Sequence, residues 1–313
     1  MTGTGIVIAG LSKTYRRGKV RALDGVSLAI RPGEVFGVIG PNGAGKTTLM
    51  GCLLGFLFPD EGTVTVDGLP PDDLAVRAVT GYLPERLMFD RWMTGRDFLA
   101  YHHALAGAPA ADRSRDVASG LDRVGLDHDA GAKRVKEYSR GMLQRLGLAQ
   151  ALIGRPRYLL LDEPTSGMDP IGTSAVRALL ADLPREGVTV IVNSHQLEQL
   201  ERLCDRVAYV QAGRVTSVET LKAGADTERT LTVRAGAPGF SASLRKRLGA
   251  LAERAGARLI EAREEDARFA VPDDRVAAKL LALLVRLRAP VVEAVPDRGR
   301  LERLFFEGRD GRA

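Results

Sequence analysis

The segment "EVFGVIGPNGAGKTTLM", residues 34 to 50, constrains the fold more than any other stretch of the chain. An apolar run of strand character breaks at Gly40 into Pro41, Asn42, Gly43, Ala44 and Gly45. Lys46, Thr47 and Thr48 then open a stretch in which Leu49, Leu53, Leu54 and Leu57 recur at helical spacing. A buried strand feeding a glycine-rich turn and then a helix is an arrangement suited to phosphate. The glycines let backbone amides wrap an anion, the helix N-terminus adds its positive dipole, and Lys46 supplies a point charge for β- and γ-phosphates. The Thr47 hydroxyl is placed for Mg²⁺, with Thr48 beside it in the same turn. The segment therefore predicts a strand, loop and helix that hold a nucleoside triphosphate.

A second apolar run, "RYLLLDEP" at 157–164, ends in Asp162 and Glu163. A buried parallel strand here delivers both acids to the sheet edge that carries the loop. Asp162 suits Mg²⁺, directly or through water, and Glu163 can accept a proton from an attacking water, which makes it the candidate general base. A third run, "VTVIVNSH", carries His195 to its end. Between the first two lies "YSRGMLQRLGLAQAL", residues 138–152, in which Met142, Leu143, Leu146, Ala149, Leu152 and Ile153 mark one helix face. Ser139 then caps the helix, and the helix end with Gly141 offers a second anion site.

With these motifs in view, the chain resembles the nucleotide-binding subunit of an ABC transporter. Tyr138, Ser139, Arg140, Gly141 and Met142 stand where that family carries Leu-Ser-Gly-Gly-Gln, so three of five positions depart while Ser139 and Gly141 are kept. Such variation resembles the export branch, whose membrane subunit is a separate polypeptide. The resemblance implies an α/β P-loop fold with a RecA-like core, an antiparallel β subdomain and a helical subdomain. It implies ATP and Mg²⁺ as ligands, with Tyr15 stacked on adenine and His195 at the γ-phosphate. Ser166, Gly167, Met168 and Asp169 resemble the loop that crosses the dimer interface, although Asp169-Pro170 also reads as a helix cap followed by proline. "GYLPE", 81–85, resembles the loop that senses the γ-phosphate and metal, with Glu85 where most of the family has glutamine; its role is left open. Each motif occurs once, so a second copy must complete the sites, and a homodimer that drives an integral membrane permease is expected.

Along the chain, residues 5–30 and 62–68 alternate as antiparallel strands, with turns at Asp24-Gly25 and Asp67-Gly68. Residues from about 86 to 153 read as helical, opening with a segment rich in large apolar side chains. Of these, Met88, Phe89, Trp92 and Met93 either pack the helical subdomain or form the groove for a membrane-partner helix. The motifs stop near 225. Residues 226–313 read as strand, helix, strand, strand, helix, strand and a short final helix "LERLFFEG", the order of a ferredoxin-like α+β domain. No His, Cys or phosphate loop occurs in that part.

Composition excludes several alternatives. No apolar stretch of the 313 residues approaches the roughly 20 that a membrane span needs, and the amino terminus has no secretory pattern, so a cytoplasmic location is expected, peripheral on the membrane through the permease. Cys52 and Cys204 fall in separate helix-like patterns, as packed thiols do. The net charge of +6 admits nucleic acid. With 39 acidic residues against 45 basic and only 5% aromatics there is no stacking platform, and no nucleic-acid partner is expected. The alternative is a soluble ABC-type ATPase acting on nucleic acid or the ribosome. Such forms carry two cassettes or a long coiled-coil insertion, and neither occurs here. A nucleotide-binding regulator or small-molecule kinase leaves the Ser139 helix and Glu163 unexplained.

Overall fold

The computed structural model describes residues 3–15, 18–221 and 229–296. They fall into two compact units, one running to residue 221 and one from 229.

The first unit opens with β1 (Ile6–Tyr15) and β2 (Val20–Ile30), an antiparallel pair, and continues through β3 (Val35–Ile39), α1 (Lys46–Leu53), β4 (Glu61–Val66), α2 (Leu74–Ala78) and β5 (Thr80–Leu83). β4 joins β1 and β2 in a three-stranded antiparallel sheet of order β2-β1-β4. Asp67 and Gly68 form a turn after β4, both with positive φ (51° and 83°), as a two-residue hairpin turn requires. Asp24 and Gly25 do not form the expected turn. They lie inside β2 at a bulge, where the Gly25 N–H donates to the Ser12 hydroxyl (3.1 Å) and the register to β1 shifts.

Helices α3 (Gly95–Leu105), α4 (Arg113–Arg123), α5 (His128–Ala132) and α6 (Arg140–Leu152) make the helical subdomain around Phe98, Leu99, Val117, Leu121 and Leu146. The expectation of helix from residue 86 is corrected. Helix begins only at Gly95, where the Thr94 hydroxyl caps it by accepting from the Asp97 N–H (3.0 Å). Residues 86–94 form loop and turn. Within them Phe89 packs edge-on against Phe98, whereas Met88 and Trp92 are 91% and 73% exposed and so do not serve as core.

The chain then runs through β6 (Tyr158–Asp162), α7 (Pro170–Asp182), β7 (Thr189–Asn193), α8 (Leu197–Leu203), β8 (Arg206–Gln211) and β9 (Arg214–Thr220). The central sheet has the order β5-β6-β7-β3-β8-β9, parallel except for β9. Every residue of β3, β6 and β7 is buried, which explains why these strands read as unbroken apolar runs rather than alternating ones. Each large aliphatic side chain so buried contributes roughly 1.5–3 kcal/mol relative to exposure. The register aligns Val38 of β3 with Asn193 of β7, and Asn193 with Asp162 of β6. The three residues thus form one row, one residue short of the loop that follows β3, at the carboxyl edge where open parallel sheets bind ligands.

The second unit contains β10 (Arg229–Ala235), α9 (Ala242–Ala255), β11 (Arg258–Ala262), β12 (Asp266–Val271), α10 (Asp274–Arg286) and β13 (Val291–Pro296). Its strands form an antiparallel sheet of order β11-β12-β10-β13. Leu231, Val233 and Phe269 of the sheet pack against Leu248 of α9 and Leu280 and Leu284 of α10. The final helix expected at "LERLFFEG" lies outside the described residues. Cys52 and Cys204 are both buried.

Candidate functional site

The loop after β3 is shaped by contacts that only glycine allows. Gly40 has φ 157° and Gly45 φ 107°, and a Cβ on them would meet the Val210 carbonyl at 2.0 Å and the Ala22 carbonyl at 2.3 Å. Gly43 (φ 77°) is different: a Cβ there meets nothing within 4 Å, so this glycine serves the turn and faces open space. Gly45 is the N-cap of α1 and contributes no side-chain cap. The first α-helical turn closes with the Leu49 N–H donating to the Gly45 carbonyl (2.9 Å). The amides ahead of it, including those of Lys46, Thr47 and Thr48, lie at a helix N-terminus suited to an anion. Asn42 sits exposed on the loop, and Ala44 packs inward and is buried, as is Gly40.

Lys46 folds back over this loop, its Nζ donating to the Gly40 carbonyl (2.8 Å) and the Pro41 carbonyl (3.0 Å). Burial pushes its ammonium below the ordinary lysine range, and the charges of Glu163, Asp162 and Glu85 pull the other way. These four groups therefore share one electrostatic neighbourhood. Glu85 is exposed and enters through its charge.

Asp162 ends β6 and is 4% exposed. The Asn193 side-chain amide donates to its Oδ1 (2.7 Å), fixing the carboxylate and leaving Oδ2 for a further partner. Burial raises its pKa above the ordinary aspartate value; the Asn193 bond opposes the shift, and Glu85 and Glu163 add to it. A buried carboxylate whose charge reaches Lys46, the residue before Thr47, is the donor chemistry that Mg²⁺ takes.

The cost of that arrangement is testable. Because the folded-state pKa is raised, folded Asp162 holds its proton where the unfolded chain has released it, so stability is lost as pH climbs upward from 3.8, the ordinary aspartate value. Asp162→Asn is expected to raise the thermal midpoint of the nucleotide-free protein at pH 7, with the gain vanishing below pH 3.8. The roughly 2.7 kcal/mol of stabilisation that a ligand at a hundred times its Kd provides should be largely lost for Mg·ATP. Thermal melts at several pH values, with and without Mg·ATP, measure both. A lower midpoint at pH 7 would refute the stated cost of Asp162.

Glu163 stands at the next position in a left-handed conformation (φ 51°), which costs a non-glycine residue of order 1–3 kcal/mol. This kink turns the side chain out of the strand's alternation. Its Oε1 accepts from the His195 backbone N–H (2.9 Å) and lies 2.7 Å from His195 Nδ1, while its Oε2 accepts from the Ser194 hydroxyl (3.2 Å). His195 is otherwise exposed (66%), whereas the Glu163 side chain is only 12% exposed.

Ser139 caps α6 as expected, accepting from the Met142 N–H (3.2 Å), with Gly141 in the same turn. Asp169 likewise caps α7, accepting from the Gly172 N–H (2.7 Å), and Pro170 opens that helix. Tyr15 ends β1 with 36% of its surface exposed. The structure thus gathers Lys46, Asp162, Glu163 and His195, with Glu85 in reach by charge, and places Ser139 and Gly141 at the start of a separate helix. Three contributors escaped the sequence reading: Asn193, Ser194 and Gln144. The legible signals were a polar residue ending an apolar strand and a glutamine inside a buried helix face.

A phosphate-shaped loop and an acid pair at the carboxyl edge of one parallel sheet define a P-loop nucleotide-binding protein. The family model described as ABC transporter matches residues 23–166. A daunorubicin resistance ATP-binding protein of Streptomyces coeruleorubidus is 40% identical over 225 residues, covering 70% of this chain and 69% of that protein. The methionine import ATP-binding protein MetN of Caulobacter vibrioides is 42% identical over 220 residues, covering 67% of this chain and 65% of its own. Among solved structures, the dimeric bacterial ABC transporter cassette MJ0796 superposes with a TM-score of 0.65 at 26% identity, over 70% of this chain and 100% of that one. The chain belongs to the ATP-binding proteins of ABC transporters. The matched stretch spans 60–65% of the length of the first curated relatives.

Proposed function

We propose that two copies of this chain close around two Mg·ATP, hydrolyse them, and drive a separate integral membrane subunit. The observation that carries this reading is the pairing of Glu163 with His195 at the edge that bears the Lys46 loop. Glu163 takes the proton of the attacking water, and His195 orients its carboxylate and reaches toward the γ-phosphate. The loop amides and Lys46 hold the phosphates, and Tyr15 supports the adenine. Thr47 and Asp162 would hold Mg²⁺, with Glu85 adding its charge nearby, and the ion would supply neutralisation of charge on the phosphate oxygens. Ser139 and Gly141 serve the nucleotide of the opposite copy, and Asp169 lies where the two copies meet.

Exposed Met88 and Trp92, beside Phe89 and Met93, form the surface offered to the membrane subunit. Membrane attachment comes through that partner, since no described helix is long and apolar enough to cross a bilayer. Residues 226–313 are read as a ferredoxin-like accessory domain and 1–225 as the ATP-binding domain, in keeping with the β-α-β-β-α-β order of the second unit. Export is read from the departures at Tyr138, Arg140 and Met142. Relatives named for import and for drug resistance match over similar spans, so identity alone does not set direction.

The test is co-expression with the product of the neighbouring reading frame, expected to be a multi-helix membrane protein, and isolation in detergent. A stable complex whose ATPase activity exceeds that of the isolated chain by about tenfold is expected. A chain that instead retains RNA or DNA, with affinity falling by orders of magnitude between 50 and 200 mM salt as phosphate contacts predict, would replace this reading with the nucleic-acid one.

A further inference from the structure

Glu163 departs from helix and strand geometry alike, so something must hold it there. Its backbone is held by three partners. The N–H donates to the Asn193 carbonyl (2.9 Å), and its own carbonyl accepts from the Ser166 N–H (3.1 Å) and from Gln144 Nε2 (3.1 Å). The first two follow from the adjacent strand and from the local turn. The third comes from α6, nineteen residues earlier in sequence, through a polar side chain only 4% exposed. A buried amide spent on one carbonyl, in a helix face it shares with buried Leu148 and Ala151, has no packing rationale that an aliphatic residue would not meet better.

We propose that Gln144 is a positioning residue for the general base: its amide holds the left-handed backbone turn from which the Glu163 carboxylate is presented to His195 and to the attacking water. A second tie keeps α6 in register with this segment. The Arg140 guanidinium donates to the Ser166 hydroxyl (3.0 Å), and its stem lies where a Cβ on Gly167 would sit, 2.2 Å from Arg140 Nε. Gly167 is also at φ 73°, so the turn has both the shape and the room this arginine needs. Without the Gln144 bond the Glu163 peptide relaxes away from positive φ. The carboxylate then swings off the His195 N–H while the phosphate loop is untouched.

The proposal rests on Glu163 being the base, and its test separates the two. Gln144→Glu keeps size and shape and, assayed at a pH where its carboxyl is ionised, removes the donor. It is expected to lower kcat about tenfold with KM for ATP within about twofold of the parent, and to leave the residual turnover of Glu163→Gln unchanged when the two are combined, because Gln144 acts only through that carboxylate. If Gln144→Glu fails to fold, Gln144→Met, which is apolar and of similar length, carries the same comparison. Parent-like kcat, or an equal loss in both Glu163 backgrounds, would overturn the role of Gln144 alone. Parent-like turnover of Glu163→Gln would overturn the assignment of the base and this proposal with it.

Discussion

Glu163→Gln is expected to slow ATP hydrolysis at least about a hundredfold while Mg·ATP still binds, a barrier increase of roughly 2.7 kcal/mol. The glutamine keeps the length of the side chain and can still accept from the His195 N–H or the Ser194 hydroxyl, so the geometry at the end of β6 is retained. What it loses is the capacity to take a proton. Asp162 cannot substitute, because its Oδ1 is occupied by Asn193 and its carboxylate is aimed from the buried side of the strand. His195 Nδ1 lies against Glu163, so the imidazole lacks an orienting carboxylate once Glu163 is gone. Phosphate release under single-turnover conditions, beside nucleotide affinity by equilibrium binding, measures both halves. Turnover within a few-fold of the parent would remove Glu163 as the base.

Two inactive proteins are expected to restore each other. Ser139→Arg places a bulky cation at the cap of α6, and Lys46→Ala removes the charge over the phosphate loop; each homodimer then has two damaged sites. Ser139 and Lys46 stand at the starts of different helices, α6 and α1, and Lys46 is enclosed by its own loop carbonyls. In a head-to-tail dimer, a heterodimer of the two variants has one site free of both lesions and one carrying both. Random subunit exchange makes about half of the dimers heterodimers, each with one composite site in two intact, so mixing the purified variants should recover up to about a quarter of the activity of the same amount of parent dimer. If each chain built its site from its own Ser139, no mixture would recover, because both lesions stay in their own sites. A confirmed heterodimer without activity counts against the composite site.

The parts of the molecule that were legible in sequence are those whose physics is local. The loop after β3 needs glycine at fixed places, a strand buried on both faces must be apolar throughout, and a helix that begins in water needs a cap; each leaves its mark within about ten residues. The same holds for the second unit, where the order and approximate bounds of its strands and helices follow from alternation and period. The failures were local patterns with a second solution. Asp24-Gly25 has turn composition, but pairing with β1 on both sides absorbs it as a bulge inside β2. The apolar residues from Leu87 to Met93 suit a helix, yet Thr94 caps α3 after them and leaves Met88 and Trp92 in solvent.

The chain by itself determined which residues are candidates to bind phosphate and which carboxylates are candidates to act, because those roles belong to residue types at short spacing. Only the tertiary structure decided how they meet. The parallel register sets Val38, Asn193 and Asp162 in one row. The neighbouring strand and α6 hold Glu163 at a positive φ that no propensity favours. Asn193, Ser194 and Gln144 enter the site through hydrogen bonds spanning 19 to 31 residues. Contacts of that length follow from strand order and helix packing, and no pattern confined to one strand or one helix carries them.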